Sequence, residues 1–96
     1  MKIKKTDLAL ISESLKSIAH PNRIGILKLL GKNQGLEFSV NEIGSKLNLS
    51  QPEVSRHLSI LKNKGVLNFN RVGSNIYYSI NKNTVIYNCI TNLLTM

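Results

Sequence analysis

Residues 48–53, Asn-Leu-Ser-Gln-Pro-Glu, join two short stretches that each carry apolar residues at helical spacing. Val40, Ile43 and Leu47 precede the junction, and Val54, Leu58 and Leu61 follow it. A connection as short as Asn48-Leu49-Ser50 forces two helices to cross at a steep angle. The second helix has a strong start. Ser50 and Glu53 form a Ser-x-x-Glu capping box, in which the hydroxyl caps the Glu53 amide and the carboxylate reaches back. Pro52 falls in the first turn, where its missing N–H costs little. Lys62 and Lys64 suit the negative end of the helix, and Gly65 stops it. The segment 40–64 therefore reads as a helix-turn-helix.

What flanks this pair narrows the fold further. Val66 to Arg71 and Ile76 to Ile80 are β-prone runs with Gly73-Ser74-Asn75 between them, a hairpin over 66–80 directly after the second helix. Upstream, Leu8, Ile11, Leu15 and Ile18 recur every three or four residues, a helix over 6–19 that His20-Pro21 breaks. Pro21 then opens a helix carrying Ile24, Ile26, Leu27, Leu29 and Leu30 that ends near Gly31, apolar on most sides and thus central. Asn33-Gln34-Gly35 reads as a loop. Val85, Ile86, Cys89, Ile90, Leu93 and Leu94 mark a last helix over 83–95. The expectation is one domain over 1–96, mainly α (α+β): a winged helix-turn-helix of about five helices with one β-hairpin wing. A chain of 96 residues buries a marginal core by itself, which favours pairing with a second copy.

Charge points to a polyanion. The chain holds 13 Lys and Arg against 5 Asp and Glu, a net charge of +8. No acid follows Glu53, while Arg56, Lys62, Lys64, Arg71 and Lys82 do, so the second half should carry the positive surface. Stepping about 100° per residue away from Val54–Leu58–Leu61 puts Pro52, Arg56, Ser59 and Asn63 on the outward face, with Gln51 and Ser55 at its border. The start of a docked recognition helix reaches base edges. Gln51 suits adenine, Arg56 guanine or phosphate, and Ser55 either kind of base. Ser59 lies deeper along the helix. His57 lies nearer the buried stripe, where a flank position and a phosphate contact are both open. Arg71, Ser74 and Asn75 would give the wing backbone contacts to double-stranded DNA.

These residues resemble the ArsR/SmtB family of winged-helix repressors. Leu15 to Leu27 carry the likeness through Ala19-His20-Pro21-Asn22-Arg23, Leu49 to Leu61 carry it through Ser50-Gln51-Pro52-Glu53-Val54-Ser55-Arg56-His57-Leu58, and Gly65-Val66-Leu67 lead into the wing. The resemblance implies a homodimer whose first and last helices pack across a two-fold axis, and an inverted-repeat operator released on inducer binding. It implies that Gln51, Pro52, Ser55 and Arg56 face DNA. Leu8, Ile11 and Leu15 on the first helix and Ile86, Cys89, Ile90 and Leu93 on the last would form the dimer interface. The wide apolar stripes there, more than one small core needs, agree.

The chain departs from the family's metal sensors. Where their third-helix motif runs Glu-Leu-Cys-Val-Cys-Asp-Leu, this sequence has Glu37-Phe38-Ser39-Val40-Asn41-Glu42-Ile43, with Ser39 and Asn41 in place of the thiolates. Hydroxyl and amide are poor ligands for soft metals, and no His, Asp or Glu follows His57 to build a site on the last helix. The expectation is therefore no metal and no cofactor, with an unknown small-molecule inducer left open. Cys89, the single cysteine, reads as a small apolar residue of the last helix. Two histidines and no phosphate-binding glycine loop argue against an enzyme. The alternatives are a winged helix that binds protein, and a repressor that senses an oxidant or small molecule elsewhere. With neither a signal peptide nor a membrane span in the sequence, a cytoplasmic protein is expected.

Overall fold

The structure, a computed structural model, describes residues 4–33 and 37–96. The loop expected at 33–35 falls partly outside them. Five helices and three strands follow in the order α1 (Lys5–Ile18), α2 (Pro21–Lys32), β1 (Phe38–Ser39), α3 (Val40–Leu47), α4 (Gln51–Asn63), β2 (Leu67–Val72), β3 (Asn75–Ile80) and α5 (Tyr87–Leu94). This is the winged helix-turn-helix architecture. The wing is a three-stranded antiparallel sheet in the order β1-β3-β2. The short β1, Phe38 opposite Tyr78 and Ser39 opposite Tyr77, was not legible, since two residues show no alternation. Val72 pairs with Asn75, leaving Gly73 and Ser74 as a two-residue turn with Gly73 at φ 63°.

Helix α2 packs against α1, α3, α4, α5 and β3, so it is the hub of the core. Ile26, Leu27 and Leu30 from α2 meet Ile43 of α3, Val54, Leu58 and Leu61 of α4, and Val66, Leu67 and Tyr78 of the wing, all buried. Burial also pushes the Tyr78 phenol up from its ordinary pKa, with Arg71 opposing the shift.

The two terminal helices depart from the sequence reading in instructive ways. The stripe Leu8, Ile11, Leu15, Ile18 does not face one core. Only Ile18 is buried, and α1 meets the rest of the protomer through Ser14 and Ser17, whose hydroxyl donates to the Ser14 carbonyl. Leu8, Ile11 and Leu15 are left 52%, 37% and 39% exposed. Small serines let α1 lie close on α2, which turns the large residues outward. Helix α5 starts four residues later than expected. The Asn81 side chain accepts from the Asn83 amide and holds a turn there, a local bond that competes with helix. Ile86 and Ile90 are 4% and 0% exposed and belong to the protomer's own core, so neither is free to form a dimer interface. Cys89 is exposed and Leu93 half-buried.

His57 takes the flank position. It is 8% exposed and faces α2 rather than solvent. Its ring lies 4.6 Å from that of His20. His20 caps α2 by accepting from the Asn22 amide at 3.0 Å. The Arg23 guanidinium, itself bonded to the Ser17 carbonyl, sits 3.2 Å from His57 Nδ1. A guanidinium can only donate, so Nδ1 accepts and the imidazole is neutral. Desolvation, then the charges of His20, Arg23 and Arg56, hold the His57 pKa below its ordinary value.

That neutral ring makes stability depend on pH. The unfolded chain binds a proton near pH ~6.5 that the folded protein refuses, so stability is full above that value and falls as pH drops below it. Urea midpoints at fixed protein concentration should decline between about pH 7.5 and 5.5, with this group giving at most about 1.4 kcal/mol per pH unit. His57→Gln should start less stable at neutral pH and lose that share of the slope. An unchanged slope in the variant would place the titration elsewhere.

Candidate nucleic-acid interface

Two capped helices frame the site. Ser39 caps α3 with a full capping box: its hydroxyl accepts from the Glu42 amide at 3.3 Å, and the Glu42 carboxylate accepts from the Ser39 amide at 3.0 Å. These bonds hold the Glu42 carboxyl below its ordinary pKa. The sequence carried this second Ser-x-x-Glu, with the same spacing as the first. Helix α3 ends at Asn48, in left-handed conformation at φ 56°, and the Gly44 carbonyl accepts from both the Asn48 and Leu49 amides. A Cβ at Gly44 would stand 2.9 Å from the Leu49 carbonyl oxygen, so only glycine permits this turn. At α4 the Ser50 hydroxyl accepts from the Glu53 amide at 3.4 Å and donates to the Glu53 carboxylate at 3.0 Å. The side chain reaches back to the hydroxyl rather than to the backbone of Ser50.

With α4 started and oriented in this way, Val54, His57, Leu58 and Leu61 point inward. Gln51, Pro52, Ser55, Arg56, Ser59 and Asn63 are exposed along the opposite side. The only acid on α4 is Glu53, which is half-buried and engaged by Ser50. On the wing, Arg71, Ser74 and Asn75 are exposed. The structure brings part of this set together: Gln51 at the start of α4, Asn41 on α3, and Ser74 and Asn75 at the wing tip line one cleft of about 150 Å³. Arg71 does not line it. Asn41 was not among the contact candidates; the Ser39-x-x-Glu42 spacing, which puts it in the first turn of α3, is the signal that finds it.

The cations are less evenly available than their count suggests. Lys64 pairs with Glu13 of α1 at 3.4 Å. That contact and the one from Lys16 hold the Glu13 carboxyl below its ordinary pKa, Lys16 first. The Lys62 ammonium lies 5.0 Å from the centre of the Phe69 ring, joining the end of α4 to the wing. Among the described residues, Arg56 and Arg71 take part in no ion pair. One lies on the outward face of α4 and the other on β2 of the wing, and both are exposed.

Known proteins share this arrangement. A family profile described as bacterial regulatory protein, arsR family, matches residues 20–68. The transcriptional repressor SdpR of Bacillus subtilis is 41% identical over 66 residues, 69% of this chain and 70% of its own length. The transcriptional repressor PagR of Bacillus anthracis is 44% identical over 80 residues, 83% of this chain and 78% of its own. The crystal structure of PagR superposes with a TM-score of 0.81 at 39% identity, covering 94% of this chain and 99% of that one. The winged helix-turn-helix domain of Mb0332 from Mycobacterium bovis, described as homodimeric, has a TM-score of 0.80 at 23% identity over 99% of this chain and 85% of that one, and shows the likeness of fold. The matched segment runs from the His20 cap through the crossing of α3 and α4 to the first residues of the wing, where the geometry described above resides. The chain belongs to the ArsR family of bacterial regulatory proteins, and its fold is that family's winged helix-turn-helix DNA-binding fold.

Proposed function

We propose that this protein is a cytoplasmic, homodimeric transcriptional repressor that binds an inverted-repeat operator and responds to something other than a metal at the family's familiar positions. The observation that carries the reading is the outward face of α4. It presents Gln51, Ser55 and Arg56 side by side with no exposed acid on the helix. Gln51 and Arg56 have the donors and acceptors to read base edges, while Arg71, Ser74 and Asn75 of the wing fix the protein on the backbone. Repression is the role named for SdpR and PagR. Binding, not catalysis, is the activity this surface supports. Among the described residues no helix is long and apolar enough to cross a membrane, which is compatible with action on cytoplasmic DNA.

Dimerisation follows from what the protomer leaves uncovered. Leu8, Ile11 and Leu15 line the outer side of α1, and Cys89 with the half-buried Leu93 lies on α5. Large apolar side chains lined up on an open helix face are costly in water and are stabilised by a partner. A two-fold axis here presents two copies of α4 to successive major grooves, about one helical turn (~34 Å) apart. The metal reading is disfavoured by chemistry. Ser39, where metal sensors of the family have a thiolate, is engaged as the cap of α3.

Two expectations test this. In gel shifts, Arg56→Ala and Gln51→Ala should each weaken operator binding by about 1–3 kcal/mol without altering the thermal midpoint, and wild-type affinity should fall steeply with salt. Equal affinity for operator and random duplex, or loss of folding in either variant, would contradict the reading. Separately, Ile11→Glu should convert the dimer to a folded monomer by light scattering, and operator affinity should fall with it. A variant that stays dimeric would put the interface elsewhere.

A further inference from the structure

On the side of the wing away from its tip, a cavity of about 360 Å³ lies between α2, the root of the β2–β3 hairpin and α5. Its size falls within the range of small-molecule sites, about 300–1,000 Å³. Leu30 and Leu94 give it an apolar surface, Ser79 and Tyr87 add a hydroxyl each, and Glu37 and Lys82 bring charges of opposite sign. Among the described residues, neither Glu37 nor Lys82 is in an ion pair, so the two charges line one cavity without neutralising each other directly. The wall beside Lys82 is fixed: the Asn81 side chain donates to the Gly65 carbonyl at 2.9 Å and accepts from the Asn83 amide at 2.9 Å.

We propose that this cavity is the effector site of the regulator and takes a free α-amino acid with an apolar side chain. This rests on the reading of the chain as a DNA-binding repressor, and it adds the class of ligand. An occupant with a single charge would pair with one of the two and leave the other, of its own sign, unanswered. A zwitterion gives its ammonium to Glu37 and its carboxylate to Lys82, while its side chain covers Leu30 and Leu94. The Ser79 and Tyr87 hydroxyls can bond the same polar end.

The placement also supplies a route to DNA. Ser79 and Ile80 line this cavity at one end of β3, and Asn75 and Ile76 line the cleft beside Gln51 at the other. Tyr87 and Leu94 belong to α5, which also carries the exposed Cys89. A ligand seated here touches both the strand that aims the wing and the helix that faces the partner. If it fits one spacing of the two α4 helices better than the other, it shifts the population toward that spacing.

The experiment titrates L-leucine, L-isoleucine, L-valine, L-methionine and L-phenylalanine singly into the DNA-free protein, following backbone amides by NMR. At least one should shift Ser79 and Tyr87 saturably below about 10 mM, and Glu37→Gln and Lys82→Gln should each weaken that binding about tenfold while the spectrum stays folded. N-acetyl-L-leucine, which lacks the ammonium, should bind as weakly as leucine does to Glu37→Gln. Added to the operator complex, the bound amino acid should change affinity at least about threefold, and not in Lys82→Gln. No saturable shift with any of the five, or binding by both variants as tight as by the wild type, would overturn the site. Saturable binding with unchanged operator affinity would overturn its role as effector. Failure to bind any operator would instead fall on the repressor reading, and the DNA-free titration would still decide whether the site exists.

Discussion

The approach of the Leu49 backbone to Gly44 sets the geometry on which the rest depends. There is no room for a side chain at Gly44, because the Leu49 carbonyl lies where a Cβ would press. The Gly44 carbonyl binds the next two free amides, Asn48 takes the left-handed turn, and α4 leaves at a fixed angle. Val54, close beside the same glycine, is then drawn into the core with Leu58 and Leu61. One helix cannot bury that stripe and expose it too, so Gln51, Ser55 and Arg56 are left outside by the same packing. The binding face and the core are two consequences of one rotation of α4.

Helix α2 transmits that orientation to the remainder of the protomer. His57 and Arg23 join α4 to α2, and the His20 cap fixes where α2 begins. At its other end α2 meets α5 and forms part of the cavity behind the wing. The core is therefore continuous from the α3–α4 turn to the terminal helices. A displacement of α5 or of the wing root has a packed path to the face of α4, since close-packed interiors pass on strain rather than absorb it.

The sequence made the central pair legible because the signals there are local. Capping residues, a proline in the first turn and a three-residue connection act within a few positions of one another, and the family resemblance rests on the same segment. The terminal helices were harder for a physical reason. Periodicity shows that Leu8, Ile11, Leu15 and Ile18 share a helix, but not which neighbour covers them, and Ser14 and Ser17 gave no hint that small residues would form the buried contact. Ile86 and Ile90 look like the other apolar residues of their stretch, yet they fill the protomer's own core. Their assignment depends on the axis of α5, which the Asn81 turn sets. His57 was ambiguous because its environment comes from His20, Asn22 and Arg23, more than thirty residues away. The cavity behind the wing gathers residues 30 to 94 and has no sequence signature.

Two copies of the α4 face, held by a two-fold axis, are proposed to read DNA. Hydroxyl-radical footprinting on the duplex upstream of the protein's own gene examines this at near-physiological salt, where non-specific binding is weak. Protected patches on both strands should be related by two-fold symmetry, with the two half-sites centred about 10 base pairs apart. A single unrepeated patch, or uniform weak protection along the duplex, would contradict it.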